Sequence, residues 1–195
     1  MKNLCVYCGS SQPQDSKYVR MTEELGSSLA RHGYGLVYGG ASVGLMGVLA
    51  RTAMAGGAPV IGVIPHLLGK REINEITLTE MIKVDSMAER KQTMADKASA
   101  FLALPGGIGT MDELCECLSW SSLGLHRKPV ALYNYEGFYN KLLELFDDMV
   151  KAGFVRETFR QSIIAVDNPE DLFRAIDAYQ APELPDWVDE RYIQK

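Results

Sequence analysis

The chain has 195 residues, 47% hydrophobic and 23% charged, with a net charge of −5. That composition fits one globular domain with a real core and argues against a disordered or fibrous chain. The acidic balance argues against a nucleic-acid binder working through a broad basic face, and leaves room for a local basic pocket.

Short apolar runs alternate with helical patterns from the first residues on. Residues 4–8 read as a buried strand running into Gly9-Ser10-Ser11. Within it Cys5 and Cys8 form a C-x-x-C, a spacing that also suits redox chemistry or half a zinc site. In a buried strand cysteine packs as a small hydrophobe, and that reading is preferred. A helical pattern over 18–32 leads to a second strand at 35–38, then to Gly39-Gly40-Ala41-Ser42-Val43-Gly44 and a helix over 44–55. A third strand is expected at 59–64. The stretch 65–79, with Lys70, Arg71, Glu72 and Glu75, is polar and aperiodic and reads as a cover over a site. A helix over 87–98 and a strand at 100–104 lead into Pro105-Gly106-Gly107-Ile108-Gly109-Thr110 and a helix over 110–123. On that helix Cys115 and Cys117, two apart, face different directions. A strand at 130–133, a helix over 138–152, a strand at 163–166 and a helix over 169–179 complete the series.

Alternating buried strands and helices predict an α/β fold: a single Rossmann-like, doubly wound parallel sheet with helices on both faces. It is expected to span residues 1–181, with 182–195 as a surface tail. No apolar run is long enough to span a bilayer and no signal peptide is evident, so a soluble cytoplasmic protein is expected.

In such sheets ligands bind beyond the carboxyl ends of the strands. Three small-residue loops fall there, after the first, second and fourth expected strands. Glycines let backbone N–H groups approach an anion, and a following helix N-terminus adds donors and a favourable dipole. Each loop alone is equally explained by tight turns. Together they favour a phosphorylated ligand, although neither a G-x-G-x-x-G in register nor a Walker loop is present. Thr110-Met111-Asp112-Glu113 is a T-x-x-E capping box, which accounts for Glu113 structurally; the alternative points Glu113 into the cleft beside the glycine loop. Ser86-x-x-Glu89 is a second capping box. On its helix Met87, Met94, Ala95 and Ala98 mark the apolar face, with Lys91 near its middle and Arg90 on its border. Their stems either snorkel along the surface or aim into an anion site. The three histidines, His32, His66 and His126, are scattered and suggest no metal. Ser10, Ser11 and Ser42 lack a G-x-S-x-G elbow, which argues against an acyl-transfer hydrolase.

Two motifs then become recognisable in combination. Residues 105–113 read P-G-G-x-G-T-x-x-E, and Met87-Ala88-Glu89-Arg90-Lys91 reads M-x-x-R-K one helix upstream. This pair resembles the Lonely Guy (LOG) family of cytokinin riboside 5′-monophosphate phosphoribohydrolases, many once labelled lysine decarboxylases. The likeness runs from Cys8-Gly9-Ser10-Ser11 to about Phe154. It implies a Rossmann-like homodimer that hydrolyses adenosine monophosphate or its N6-modified relatives, with Arg90 and Glu113 catalytic. It further implies a substrate site from Glu72, Lys91, Gly106, Gly107, Gly109 and Thr110, to which the reading of the small-residue loops adds Gly9, Ser10, Gly39 and Gly40. No metal and no cofactor are expected, and from charge and hydropathy no nucleic-acid or membrane partner. Nothing in the sequence looks like a pyridoxal phosphate site. The competing readings are a non-hydrolytic nucleotide sensor or carrier on the same fold, and a dinucleotide-dependent oxidoreductase, which the missing G-x-G-x-x-G disfavours.

Overall fold

The computed structural model describes residues 1–68 and 77–183. Seven strands, β1 (Lys2–Tyr7), β2 (Tyr34–Tyr38), β3 (Val60–Pro65), β4 (Glu80–Val84), β5 (Ala100–Ala103), β6 (Val130–Tyr133) and β7 (Ile164–Val166), form one sheet in the order β4-β3-β2-β1-β5-β6-β7. Every neighbouring pair is parallel. The helices are α1 (Lys17–Ser28), α2 (Gly44–Ala55), α3 (Met87–Lys97), α4 (Ile108–Ser122), α5 (Asn140–Lys151), α6 (Glu157–Ser162) and α7 (Pro169–Ala178).

The two-residue period of a strand sorts the core. Leu4 and Val6 of β1 pack with Met21 and Leu25 of α1, Leu49 of α2 and Phe173 of α7. Cys5 and Tyr7 point the other way, onto Met94 of α3, Leu114 and Cys117 of α4, and Phe159 of α6. The sheet is therefore covered on both faces, which is why its central strands read as unbroken apolar runs. The same alternation settles the C-x-x-C. Cys5 and Cys8, three apart and both buried, join opposite faces of the sheet and remain free thiols in separate cores. On α4, Cys117 is buried and Cys115 exposed, as their spacing requires.

Among the described residues the sequence reading missed β4, α6 and a 3₁₀ turn, Tyr135–Gly137. β4 pairs, among the described residues, with β3 alone, as a sheet edge, and its residues Glu80–Lys83 stay partly or fully exposed. Such a strand needs no apolar run, so its pattern carries little signal. α6 is only six residues long. The helix expected over 18–32 ends as α-helix at Ser28 and tightens into a 3₁₀ turn, Ala30–His32, stopped by Gly33 at φ +76°. Of the expected tail, Pro182 and Glu183 lie within the described residues. No helix among the described residues is long and apolar enough to cross a membrane.

Candidate active site

The strand order reverses at β1 and β5: the chain leaving β1 turns towards β2, and the chain leaving β5 turns towards β6. Their loops diverge and open a crevice at the carboxyl ends. A cavity of about 500 Å³ occupies it. Gly9, Ser10 and Ser11 line it from the β1 side, Gly106, Gly107, Gly109 and Thr110 from the β5 side, and Arg90 and Glu113 join them. Such a volume is of the size that takes a small ligand.

The β5 loop is held at its start by both backbone groups of Leu104. The Leu104 N–H donates to the Tyr7 carbonyl at 2.9 Å, and the buried Tyr139 hydroxyl donates to the Leu104 carbonyl at 2.6 Å. On the β1 side the Met46 N–H, in the first turn of α2, donates to the Gly9 carbonyl at 3.3 Å. That closeness needs glycine at 44, where φ is +58° and a Cβ would sit 2.4 Å from the Ser10 carbonyl.

α4 starts three residues earlier than the capping-box reading requires. Gly107 is its N-cap and no side chain caps it. Its first-turn N–H groups have no intrahelical acceptor, and they open beside the cavity with the positive end of the helix dipole. Thr110 is thus a first-turn residue and caps nothing. Its hydroxyl is buried and has no hydrogen-bond partner among the described residues. A buried hydroxyl left unpaired is unusual, and this one stands in the wall of the cavity.

Freed from capping, Glu113 turns inward. Arg90 Nη1 donates to Glu113 Oε1 at 2.7 Å, with both side chains almost fully buried. Arg90 Nε donates to the Val63 carbonyl at the end of β3, 3.2 Å away. Gly39 supplies the seat: a Cβ there would meet Arg90 Nη2 at 1.8 Å. Burial pushes the Glu113 carboxyl above its ordinary range, and the Arg90 charge opposes the rise.

The second capping box holds in part. The Glu89 N–H donates to Ser86 Oγ at 3.1 Å, but Glu89 Oε2 accepts from the Asp85 N–H, one residue before the cap. The helical wheel of α3 is corrected. Arg90, Met94 and Ala95 are buried, whereas Met87 is 44% exposed and Lys91 lies at the edge. A wheel drawn for an apolar core ranks arginine last, but here the inward side meets a polar cleft.

Of the residues expected at the site, Gly9, Ser10, Arg90, Gly106, Gly107, Gly109, Thr110 and Glu113 share the cavity. Gly39 and Gly40 do not line it. Gly39 lies behind the guanidinium, and Gly40, at φ +78°, packs its backbone against Val63 and Ile64. Lys91 does not line it either; its ammonium pairs with Asp112 and Glu116 of α4. Glu72 lies outside the described residues, as do Lys70, Arg71 and Glu75. The sequence reading did not single out Tyr139, Tyr18 or Phe138, although Tyr18 and Phe138 line the cavity mouth and Tyr139 steadies its loop. The i, i+4 spacing of Asp112 and Glu116 was the available clue to a cation partner. Among the described residues, no group of three or more histidine, cysteine, aspartate or glutamate side chains could hold a metal ion.

Fold and site together define a doubly wound α/β protein whose switch point presents an uncapped helix N-terminus to a buried Arg–Glu pair. Residues 46–176 match the model of the family described as possible lysine decarboxylase, and the chain belongs to that family, in its LOG group. It is 44% identical over 183 residues to cytokinin riboside 5′-monophosphate phosphoribohydrolase LOG7 of Arabidopsis thaliana, covering 94% of this chain and 84% of that protein. LOG3 of the same plant is 42% identical over 178 residues, covering 91% and 83%. Among solved structures, the molybdenum cofactor binding protein of Rippkaea orientalis superposes with a TM-score of 0.69 at 19% identity, covering 91% of this chain and 97% of that one. The molybdenum cofactor carrier protein of Chlamydomonas reinhardtii superposes at 0.67 with 22% identity, covering 90% and 96%. At those identities the likeness is one of fold.

Proposed function

We propose that the chain hydrolyses the N-glycosidic bond of an adenosine-type nucleoside 5′-monophosphate, releasing the free base and ribose 5-phosphate. The observation that carries this reading is the 2.7 Å Arg90–Glu113 pair beside the uncapped start of α4, within one cavity. The relatives named phosphoribohydrolases support it over nearly the whole chain.

The chemistry follows from what each group can do. The first-turn amides of α4 and the unpartnered Thr110 hydroxyl suit a phosphate. As the C1′–N bond breaks, its electron pair leaves with the base and positive charge builds on the ribose ring. A fixed carboxylate stabilises that charge, more strongly in a dry site than in water. Glu113 takes this role and accepts a proton from the attacking water. The water's hydroxyl ends on C1′, and the proton passes on to the departing base. Arg90 favours the ionised form of Glu113 against its burial and offers its remaining N–H groups to phosphate or leaving group. No step in this scheme draws on a metal or redox cofactor. The homodimer implied by the family resemblance belongs to the same reading, and sedimentation equilibrium tests it.

The decisive experiment separates free base from nucleotide chromatographically after incubation with adenosine monophosphate, with adenosine as the control lacking phosphate. The wild type should release adenine from the monophosphate in strong preference to the nucleoside. Glu113→Gln should retain nucleotide binding and lose about two to four orders of magnitude in rate. Arg90→Ala should also collapse turnover. Near wild-type rates in Glu113→Gln would remove the carboxylate from the mechanism, and tight binding with no product in the wild type would leave a sensor or carrier.

A further inference from the structure

Two adjacent residues of α3 grip the same stretch of α4. Arg90 reaches Glu113 at 2.7 Å, inside the cavity wall. Lys91 reaches Asp112 Oδ2 at 3.2 Å and Glu116 Oε2 at 3.0 Å, on the outer side of the same helix turn. The lysine is not a loose surface group, because its side chain is only 16% exposed. Among the described residues both of its acceptors belong to α4, and it does not line the cavity. The sequence motif suggested a substrate-facing lysine; the contacts describe a brace between two helices.

We propose that Lys91 is a positioning residue, which clamps α3 to the first turns of α4 and so sets the approach of Arg90 to Glu113. The inference rests on the hydrolase reading of that pair. Its physical basis is leverage: Asp112 and Glu113 are neighbours, so any slide of α4 that frees the Lys91 ammonium also displaces the Glu113 carboxylate. Displacements of about 1 Å can cost on the order of a hundred-fold in rate. An ammonium with two acceptors on successive turns resists such sliding better than a single exposed pair, which is easily screened.

The test is a thermodynamic cycle with two independent readouts. Lys91→Met and the double variant Asp112→Asn/Glu116→Gln should each lower kcat by on the order of ten-fold or more, with KM and inhibition by ribose 5-phosphate nearly unchanged. Lys91→Arg should restore most of the loss. All three substitutions together should be no worse than the poorer of the two, because both remove one coupling. A rise of ten-fold or more in KM with kcat preserved, or losses that multiply, would overturn the brace and return Lys91 to the substrate. The second readout needs no turnover: the titration of a ¹³C-labelled Glu113 carboxyl followed by NMR. Among the described residues the charged groups facing it are Arg90 and Lys91 from α3 and Asp112 from α4, with Cys5, Tyr7 and Cys8 on the β1 side. Removing the Asp112 charge by itself lowers the Glu113 pKa, since that charge raises it. Losing the brace moves Arg90 away and raises it. An upward shift in the double acidic variant supports the brace, and a downward shift sinks it. A wild type that cleaves no nucleotide, with the upward shift still present in the double acidic variant, would overturn the hydrolase reading and leave the brace standing.

Discussion

Gly39 illustrates how a residue with no side chain can govern a charged one. The Arg90 guanidinium occupies the space a Cβ at 39 would need, and the Met46 methyl group closes the other side at 3.1 Å. Gly39→Ala should therefore leave the fold intact, because the clash is with the far end of a flexible side chain, while the Arg90–Glu113 contact is pushed out of place. The expected result is a loss of about a hundred-fold in kcat/KM with thermal stability close to wild type. Wild-type kinetics would show that the guanidinium tolerates the shift. Glu113 itself presents a buried carboxyl whose ionised form burial disfavours and the Arg90 charge favours. Removing one member of a buried ion pair is costly, because the other is left without compensation.

At the scale of elements, the first turn of α4 and its later half behave oppositely. The start is left uncapped beside the cavity, whereas the later half is anchored at Cys117 by His126, which follows the helix. His126 Nε2 donates to the Cys117 carbonyl at 3.0 Å, and Nδ1 accepts from the Lys128 N–H at 3.3 Å. Both ring nitrogens are satisfied only in the neutral Nε2–H tautomer, and burial lowers the pKa to about 4. An unfolded histidine takes up its proton near pH 6.5. The folded state resists that uptake, so stability is complete above pH 6.5 and declines as pH falls towards 4, by about 3 kcal/mol at most. Chemical denaturation of the wild type and of His126→Gln across that window checks this: the slope should be shallower in the variant. Equal slopes would assign the acid sensitivity to other groups.

For the molecule as a whole, the sheet contributes the junction where two loop systems meet, and a ligand there bridges both. Nucleotide should therefore stabilise the entire fold, which Glu113→Gln allows to be measured without turnover. At a hundred times Kd the gain is about 2.7 kcal/mol, or roughly 5–10 °C in Tm for a chain of this length. No shift with adenosine monophosphate would place the ligand elsewhere. Much of this architecture is legible in residue order. The apolar runs of β1, β2, β3, β5 and β6, the helices between them and the glycine loops follow from local periodicity and backbone chemistry, and the paired motifs single out Arg90 and Glu113. Periodicity failed at β4, because an edge strand is only half enclosed. Local rules also misjudged Thr110-x-x-Glu113, since a capping box and an inward-facing glutamate share one pattern. The sequence by itself determined the strand–helix alternation, the loops of small residues and the residue types available for chemistry, because these depend on neighbours along the chain. Only the tertiary structure decided that Gly39 seats a guanidinium, that Lys91 faces α4 instead of the cavity, and that Glu113 meets Arg90. Those outcomes depend on contacts between elements distant in sequence, which strand order and helix packing bring together.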